Sequence, residues 1–142
     1  MRPTKPPIVA EYMTRDVVTL DEDDSLENLL KTFESLRFRH LPVVDAGRLV
    51  GLVSERDLLR ASASSLLPHK AEQDRFLTDR FRVRDIMTGN VATVSAERTM
   101  REAGDLMLRA RYGCVPVVDE GNVVVGILTA SDFIRAAIGW LE

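Results

Sequence analysis

Two stretches of the chain repeat one pattern of apolar and polar positions. Residues 40–57 read HLPVVDAGRLVGLVSERD, and residues 114–132 read CVPVVDEGNVVVGILTASD. In each, two apolar runs of strand length flank an Asp-x-Gly segment. This predicts a β-hairpin, 41–44 with 49–53 in the first stretch and 115–118 with 123–128 in the second. In both, the glycine is expected to supply a positive φ in the turn. Each hairpin closes on a hydroxyl residue three positions before an aspartate, Ser54 with Asp57 and Thr129 with Asp132. A helix is predicted to begin there, carrying Leu58-Leu59 or Phe133-Ile134.

The upstream segments match as well. Each opens on Met-Thr (YMTRDVVTL, IMTGNVATV), and the residues after it alternate like a short strand. A helix follows in both. In the first, Asp24 and Glu27 have capping-box spacing, and Leu26, Leu29, Leu30 and Phe33 make one apolar stripe. In the second, Thr99 and Glu102 form the box ahead of Met100, Ala103 and Met107. The predicted order is β-α-β-β-α, twice, an α/β (α+β) arrangement. Met13 and Met87, Pro42 and Pro116, and Gly47 and Gly121 each stand 74 residues apart. After the turn the offset becomes 75, as between Gly51 and Gly126 or Asp57 and Asp132. A bulge within 123–125 is expected to absorb the extra residue.

The copies span 8–60 and 83–138, joined by a linker, 61–82. About 55 residues is marginal for an independent fold, and the strands are apolar on both faces. The copies are therefore expected to pack sheet to sheet about a pseudo-twofold axis, making two quasi-equivalent clefts. The linker is expected to extend the preceding helix through Leu66-Leu67, break at Pro68 and resume near 72–81. There Arg75, Arg80, Arg82 and Arg84 alternate with Asp74, Asp79 and Asp85, as on a solvated charged face or a partner-docking surface.

Composition narrows the function. The 142 residues suit one domain or two interdependent halves, and a net charge of −3 lacks the basic footprint of a nucleic-acid binder. No apolar run approaches the ~18 residues of a membrane span, and the N-terminus has no apolar signal core. Cys114 is the only cysteine. A cytoplasmic protein without disulfides is expected. With two histidines, His40 and His69, and one thiol, no zinc-type spacing exists, and no acid–base or nucleophile constellation points to an enzyme. His40 fits a cleft-edge donor or a packed ring, and Cys114 a small apolar filler. Trp140 and Ile138 fit either a dimer contact or packing of the last helix.

The Ser54–Asp57 and Thr129–Asp132 helix starts carry the remaining chemistry. A strand-to-helix start presents backbone N–H groups and the positive end of the helix dipole, which suit a phosphate. Ser54 offers a hydroxyl donor, and the Asp57 carboxylate can accept from both hydroxyls of a ribose. The same spacing equally describes a plain N-cap with an acid in the first turn, and both readings stand.

The doubled series of Met-Thr, hydrophobic-Pro-Val-Val-Asp, Gly turn and Gly-hydrophobic-x-[Ser/Thr]-x-x-Asp closely resembles a pair of CBS domains, the tandem called a Bateman module. The resemblance covers nearly the whole chain and implies a stand-alone, disc-like regulatory module that commonly forms a homodimer. It also implies clefts for an adenosine-containing ligand (AMP, ADP, ATP or S-adenosylmethionine), no catalytic cofactor and an unidentified regulated protein. A ligand-free dimerisation scaffold is the alternative. By resemblance to adenine-nucleotide-binding members, one cleft combines Thr88, Asn90 and Ala92 with Arg39, His40, Ser54, Arg56 and Asp57. The other combines Thr14, Asp16 and Val18 with Gly113, Cys114, Thr129, Ser131 and Asp132. Arg39, His40 and Arg56, with Arg37 and Arg48 expected nearby, make the first cleft the more cationic and the better suited to a polyphosphate.

Overall fold

In the computed structural model, which describes residues 4–36, 38–64 and 81–141, the chain runs α1 (Val9–Tyr12), β1 (Leu20–Asp21), α2 (Leu26–Ser35), β2 (His40–Asp45), β3 (Arg48–Ser54), α3 (Glu55–Ser64), α4 (Val83–Ile86), α5 (Met100–Ala110), β4 (Cys114–Val118), β5 (Val124–Thr129) and α6 (Ala130–Trp140). Both hairpins form where the apolar runs place them. The expected linker helix, with Leu66-Leu67, Pro68, His69 and most of its charged residues, falls outside the described residues, as does Arg37. Among the described residues no helix is long and apolar enough to cross a membrane.

Two compact units result, and they do not follow the repeats. Val18–Val91 form one unit; Met1–Val17 join Ala92–Glu142 in the other. In the first, β1 runs parallel to β2 and β2 antiparallel to β3. Leu26 and Leu29 of α2, Leu58 of α3 and Val83 of α4 bury against Leu41, Val43 and Val53 of that sheet. In the second, β4 and β5 make a two-stranded sheet, and the expected opening strand is reduced to one parallel bridge from Val94 to Val117. Met100, Ala103 and Met107 of α5 and Ala136 of α6 pack there with Val115, Val117 and Leu128.

The exchange of opening segments has a backbone cause. The Leu52 N–H donates to the Thr88 carbonyl and the Thr88 N–H to the Leu52 carbonyl, both at 2.9 Å. Ile127 and Thr14 exchange the same two bonds, at 3.0 and 2.9 Å. Leu52 and Ile127 thus turn their polar groups away from the prolines opposite them, Pro42 and Pro116. An antiparallel pair that exchanges no hydrogen bond can contain a proline without weakening its ladder. A four-residue helix that the apolar pattern does not announce completes each exchange. In α1, Val9 and Ala10 donate to the Arg98 and Ala96 carbonyls; in α4, Val83 and Arg84 donate to those of Asp24 and Glu22.

Three local expectations are corrected. The bulge at Val125 has a counterpart at Val50, since the register shifts in both hairpins, so it does not account for the longer second copy. The extra residue sits in the turn. Ala46 and Gly47 both have positive φ, the type I′ pattern of a two-residue loop, whereas the longer second turn gives its positive φ to Asn122 rather than Gly121. The N-cap of α2 is Ser25, whose hydroxyl accepts from the Asn28 amide, while Asp24 accepts from Asp21 in the preceding turn. Thr99 does cap α5 as expected, accepting from Glu102. The Thr99 hydroxyl's bond to Glu102, helped by Arg98, holds that carboxyl below its ordinary value.

Two measurements follow. A Cβ on Gly51 would lie 2.6 Å from Met87 Sδ and 2.9 Å from the Thr88 carbonyl oxygen; on Gly126 it would meet Met13 Sδ at 2.6 Å and the Thr14 oxygen at 3.0 Å. Gly51→Ala and Gly126→Ala are each expected to lower stability by about 1–3 kcal/mol in chemical denaturation, and a neutral result at both positions would contradict the exchange. Ala46, held at φ 51°, is expected to gain about 0.5–1 kcal/mol on replacement by Asn, which tolerates that region better.

Candidate functional site

Each hairpin delivers its hydroxyl residue to the base of a helix. In the first unit His40 stands opposite Ser54, and the Glu55 amide donates to the Arg39 carbonyl at 3.0 Å. In the second, Cys114 stands opposite Thr129, and the Ala130 amide donates to Gly113 at 3.3 Å. Thr88 and Thr14 bond two residues upstream of Ser54 and Thr129, on the same strands. The structure therefore gathers Arg39, His40, Ser54, Arg56, Asp57, Thr88 and Asn90 in one unit. Thr14, Asp16, Gly113, Cys114, Thr129, Ser131 and Asp132 gather in the other. Ala92 and Val18 each fall in the opposite unit from the residues grouped with them. Arg48 does not belong to this constellation, because it begins β3 at the turn while Ser54 ends it. Six residues of strand, about 20 Å, separate them.

The capping reading of the two aspartates is realised. Asp57 Oδ2 accepts from the Ser54 amide at 2.8 Å and the Ser54 hydroxyl at 2.9 Å, while the Asp57 amide donates back to Ser54 Oγ at 3.1 Å. Asp132 Oδ2 accepts from the Thr129 amide at 2.7 Å and hydroxyl at 3.3 Å. An incoming anion consequently finds less at the helix start than the motif promises. The amides of Glu55 and Asp57 are taken, and the Ser54 hydroxyl already serves Asp57.

Side chains distinguish the two starts. Beside Asp57, Arg39 and Arg56 are exposed and make no ion pair among the described residues. His40 is half-buried, and burial, more than any charge, pulls its pKa below the ordinary 6.5; the Asp57 carboxylate opposes this, and Arg56 and Arg39 add to it. At the second start the matching positions hold exposed Gly113 and Ser131 and buried Cys114, whose thiol is pushed up to about 12 by desolvation. Such a thiol is inert at neutral pH. Asp132 is buried, and Arg135 donates to its Oδ1.

Elsewhere, an open groove of about 810 Å³ in the second unit is lined by Glu97, Arg98, Glu102, Asp119 and Glu120. Glu102 serves the α5 cap, and Asp119 accepts from the amides of Gly121 and Val123, so these acids do structural work in a groove of the wrong sign for an anion. No cluster of three or more His, Cys, Asp or Glu among the described residues is placed to hold a metal. Trp140 packs edge-to-face on Tyr12, 6.4 Å between centroids, whereas Ile138 is exposed.

The family model for the CBS domain matches residues 9–64 and 83–139. A CBS domain-containing protein of Dictyostelium discoideum is 32% identical over 95% of this chain and 94% of its own length. Two curated relatives from Methanocaldococcus jannaschii are longer, and the chain spans 44% and 46% of them. Among solved structures, CBSX2 of Arabidopsis thaliana in complex with AMP is 28% identical with a TM-score of 0.78, covering 94% of this chain and 98% of that one. The CBS domain pair of protein MJ0100 in complex with 5′-methylthioadenosine and S-adenosylmethionine is 26% identical with a TM-score of 0.81, covering 96% and 100%.

The electrostatics around His40 are open to a pH test. Because its pKa is lower folded than unfolded, the unfolded chain binds the proton more tightly. This contribution to stability is whole above pH 6.5 and is lost as pH falls from there toward the folded pKa. In a ¹H–¹⁵N titration His40 is expected to titrate below 6.5, lower still in Asp57→Ala and higher in Arg56→Ala. An upward move in Asp57→Ala would show that the carboxylate does not face the ring.

Proposed function

The chain belongs to the CBS-domain family, and on that premise we propose that it is a ligand-sensing module whose Asp57 site holds an adenosine-containing nucleotide through ribose and phosphate. The observation that carries this reading is the inequality of the two carboxylate oxygens. Asp57 Oδ2 is engaged by Ser54, while Oδ1 accepts nothing among the described residues on a part-buried side chain. An oxygen in that position suits a ribose hydroxyl. Arg39, Arg56 and the His40 ring supply cationic and polar donors for phosphate that the occupied helix start does not. Bound AMP in CBSX2, and 5′-methylthioadenosine with S-adenosylmethionine in the MJ0100 pair, support the ligand class.

The cationic surroundings favour ADP or ATP at Asp57. On its matching positions alone, which carry no cation, the Asp132 site suits AMP, a neutral adenosine compound or no ligand. Occupancy acts on a regulated protein, or on a homodimer, through differential affinity for two arrangements. A second reading, an empty interaction scaffold, draws on the caps that occupy both aspartates and on the exposed Ile134 and Ile138 of α6 and Leu141 just after it. On either reading the chain does no chemistry of its own.

Thermal-shift and calorimetric titration with AMP, ADP, ATP and S-adenosylmethionine separates these. A phosphate-bearing ligand at 100 times its Kd is expected to stabilise the protein by about 2.7 kcal/mol, and Asp57→Ala to weaken binding about tenfold or more, with Asp132→Ala having the smaller effect. No stabilisation at millimolar ligand favours the scaffold, and binding that survives both substitutions puts the site elsewhere.

A further inference from the structure

Both repeats carry an arginine three residues after the motif aspartate, Arg60 and Arg135, and the two side chains are used differently. Arg135 Nη2 donates to Asp132 Oδ1, while Oδ2 of the same carboxylate takes the Thr129 amide and hydroxyl. The Asp132 side chain has no exposed surface, and that of Arg135 is 65% exposed. At the first site Arg60 makes no ion pair among the described residues, and Asp57 Oδ1 is left open. Asp132 is thus sealed from solvent with both oxygens engaged, by a partner whose own side chain stands in water.

We propose that Arg135 is a specificity-determining latch: its guanidinium holds the carboxylate oxygen that a ribose hydroxyl needs, closing the Asp132 site to adenosine compounds that the Asp57 site accepts. The inference rests on the reading of Asp57 as a ribose anchor. A guanidinium brings this buried carboxylate a charge–charge attraction that a neutral ribose hydroxyl lacks, and removing it leaves the charge uncompensated. Replacing guanidinium by ribose at Asp132 is therefore unfavourable, and Gly113, Cys114 and Ser131 bring no cation to offset it. The latch is built to open, because the exposed guanidinium can swing into water by side-chain rotation alone. For a ligand without phosphate, the difference between the sites then lies in this contact rather than in the motif, which both share.

Adenosine, which has no phosphate for Arg135 to bind, is the probe. Full-length wild-type protein is expected to bind it at the Asp57 site and to lose that binding in Asp57→Ala. In Asp57→Ala/Arg135→Gln a site reappears, about tenfold or more tighter than in Asp57→Ala alone, and Asp132→Ala removes it again. On the Asp57→Ala protein with Arg135 intact, adenosine binding is expected to strengthen with salt, which screens the exposed end of the ion pair but not a neutral ligand. This arm needs no substitution at Arg135 and stands even where Arg135→Gln unfolds. Wild-type binding with no gain in either arm overturns the latch alone. Wild-type protein that binds neither adenosine nor AMP overturns the ribose-anchor reading and the latch with it.

Discussion

The pair of hydrogen bonds between Leu52 and Thr88, with its counterpart between Ile127 and Thr14, is the constraint from which most of the structure follows. It leaves a strand residue with both polar groups facing away from its hairpin partner, which makes proline acceptable opposite. The two backbones come so close that only glycine fits one residue before, and the methionine ahead of each threonine fills the space above that glycine. The contact also anchors the Thr88–Asn90 loop two residues from Ser54, and the Thr14–Asp16 loop two residues from Thr129. Packing and site placement therefore rest on one interaction, used twice.

From that shared frame the two helix starts diverge electrostatically. Both spend a carboxylate oxygen on the cap, a contribution of about 1 kcal/mol. The capping and ligand readings of the motif are not rivals here, because a carboxylate has a second oxygen. At Asp57 that oxygen is open, beside cations that make no ion pair among the described residues. At Asp132 it is covered by Arg135, in surroundings where even the cysteine is too desolvated to ionise near neutral pH. Similar caps thus stand in different electrostatic surroundings.

Periodicity and spacing made the hairpins, the apolar stripes of α2 and α5 and the Thr99 cap legible in the sequence, because each is local. Lengths and identities misled where two local solutions compete. The longer second turn moved its positive φ from glycine to Asn122, and Ser25 outcompeted Asp24 as cap because the Asp24 carboxylate was already bonded to Asp21. The exchange of opening segments was not readable from periodicity, since four-residue helices carry no amphipathic signal. Arg135 had a visible repeat in Arg60, but only side-chain geometry separates an arginine that pairs from one that does not among the described residues.

The exchange also bears on what joining the repeats achieves. Two separate chains of one repeat each would form these hydrogen bonds only by swapping their opening segments, so folding would depend on how often the chains met. Within one chain the same swap is unimolecular, and its formation no longer varies with dilution. A swapped pair of identical chains must also keep both sites alike. Fusion removes that requirement, and a histidine at position 40 can then coexist with a cysteine at 114 in a single molecule.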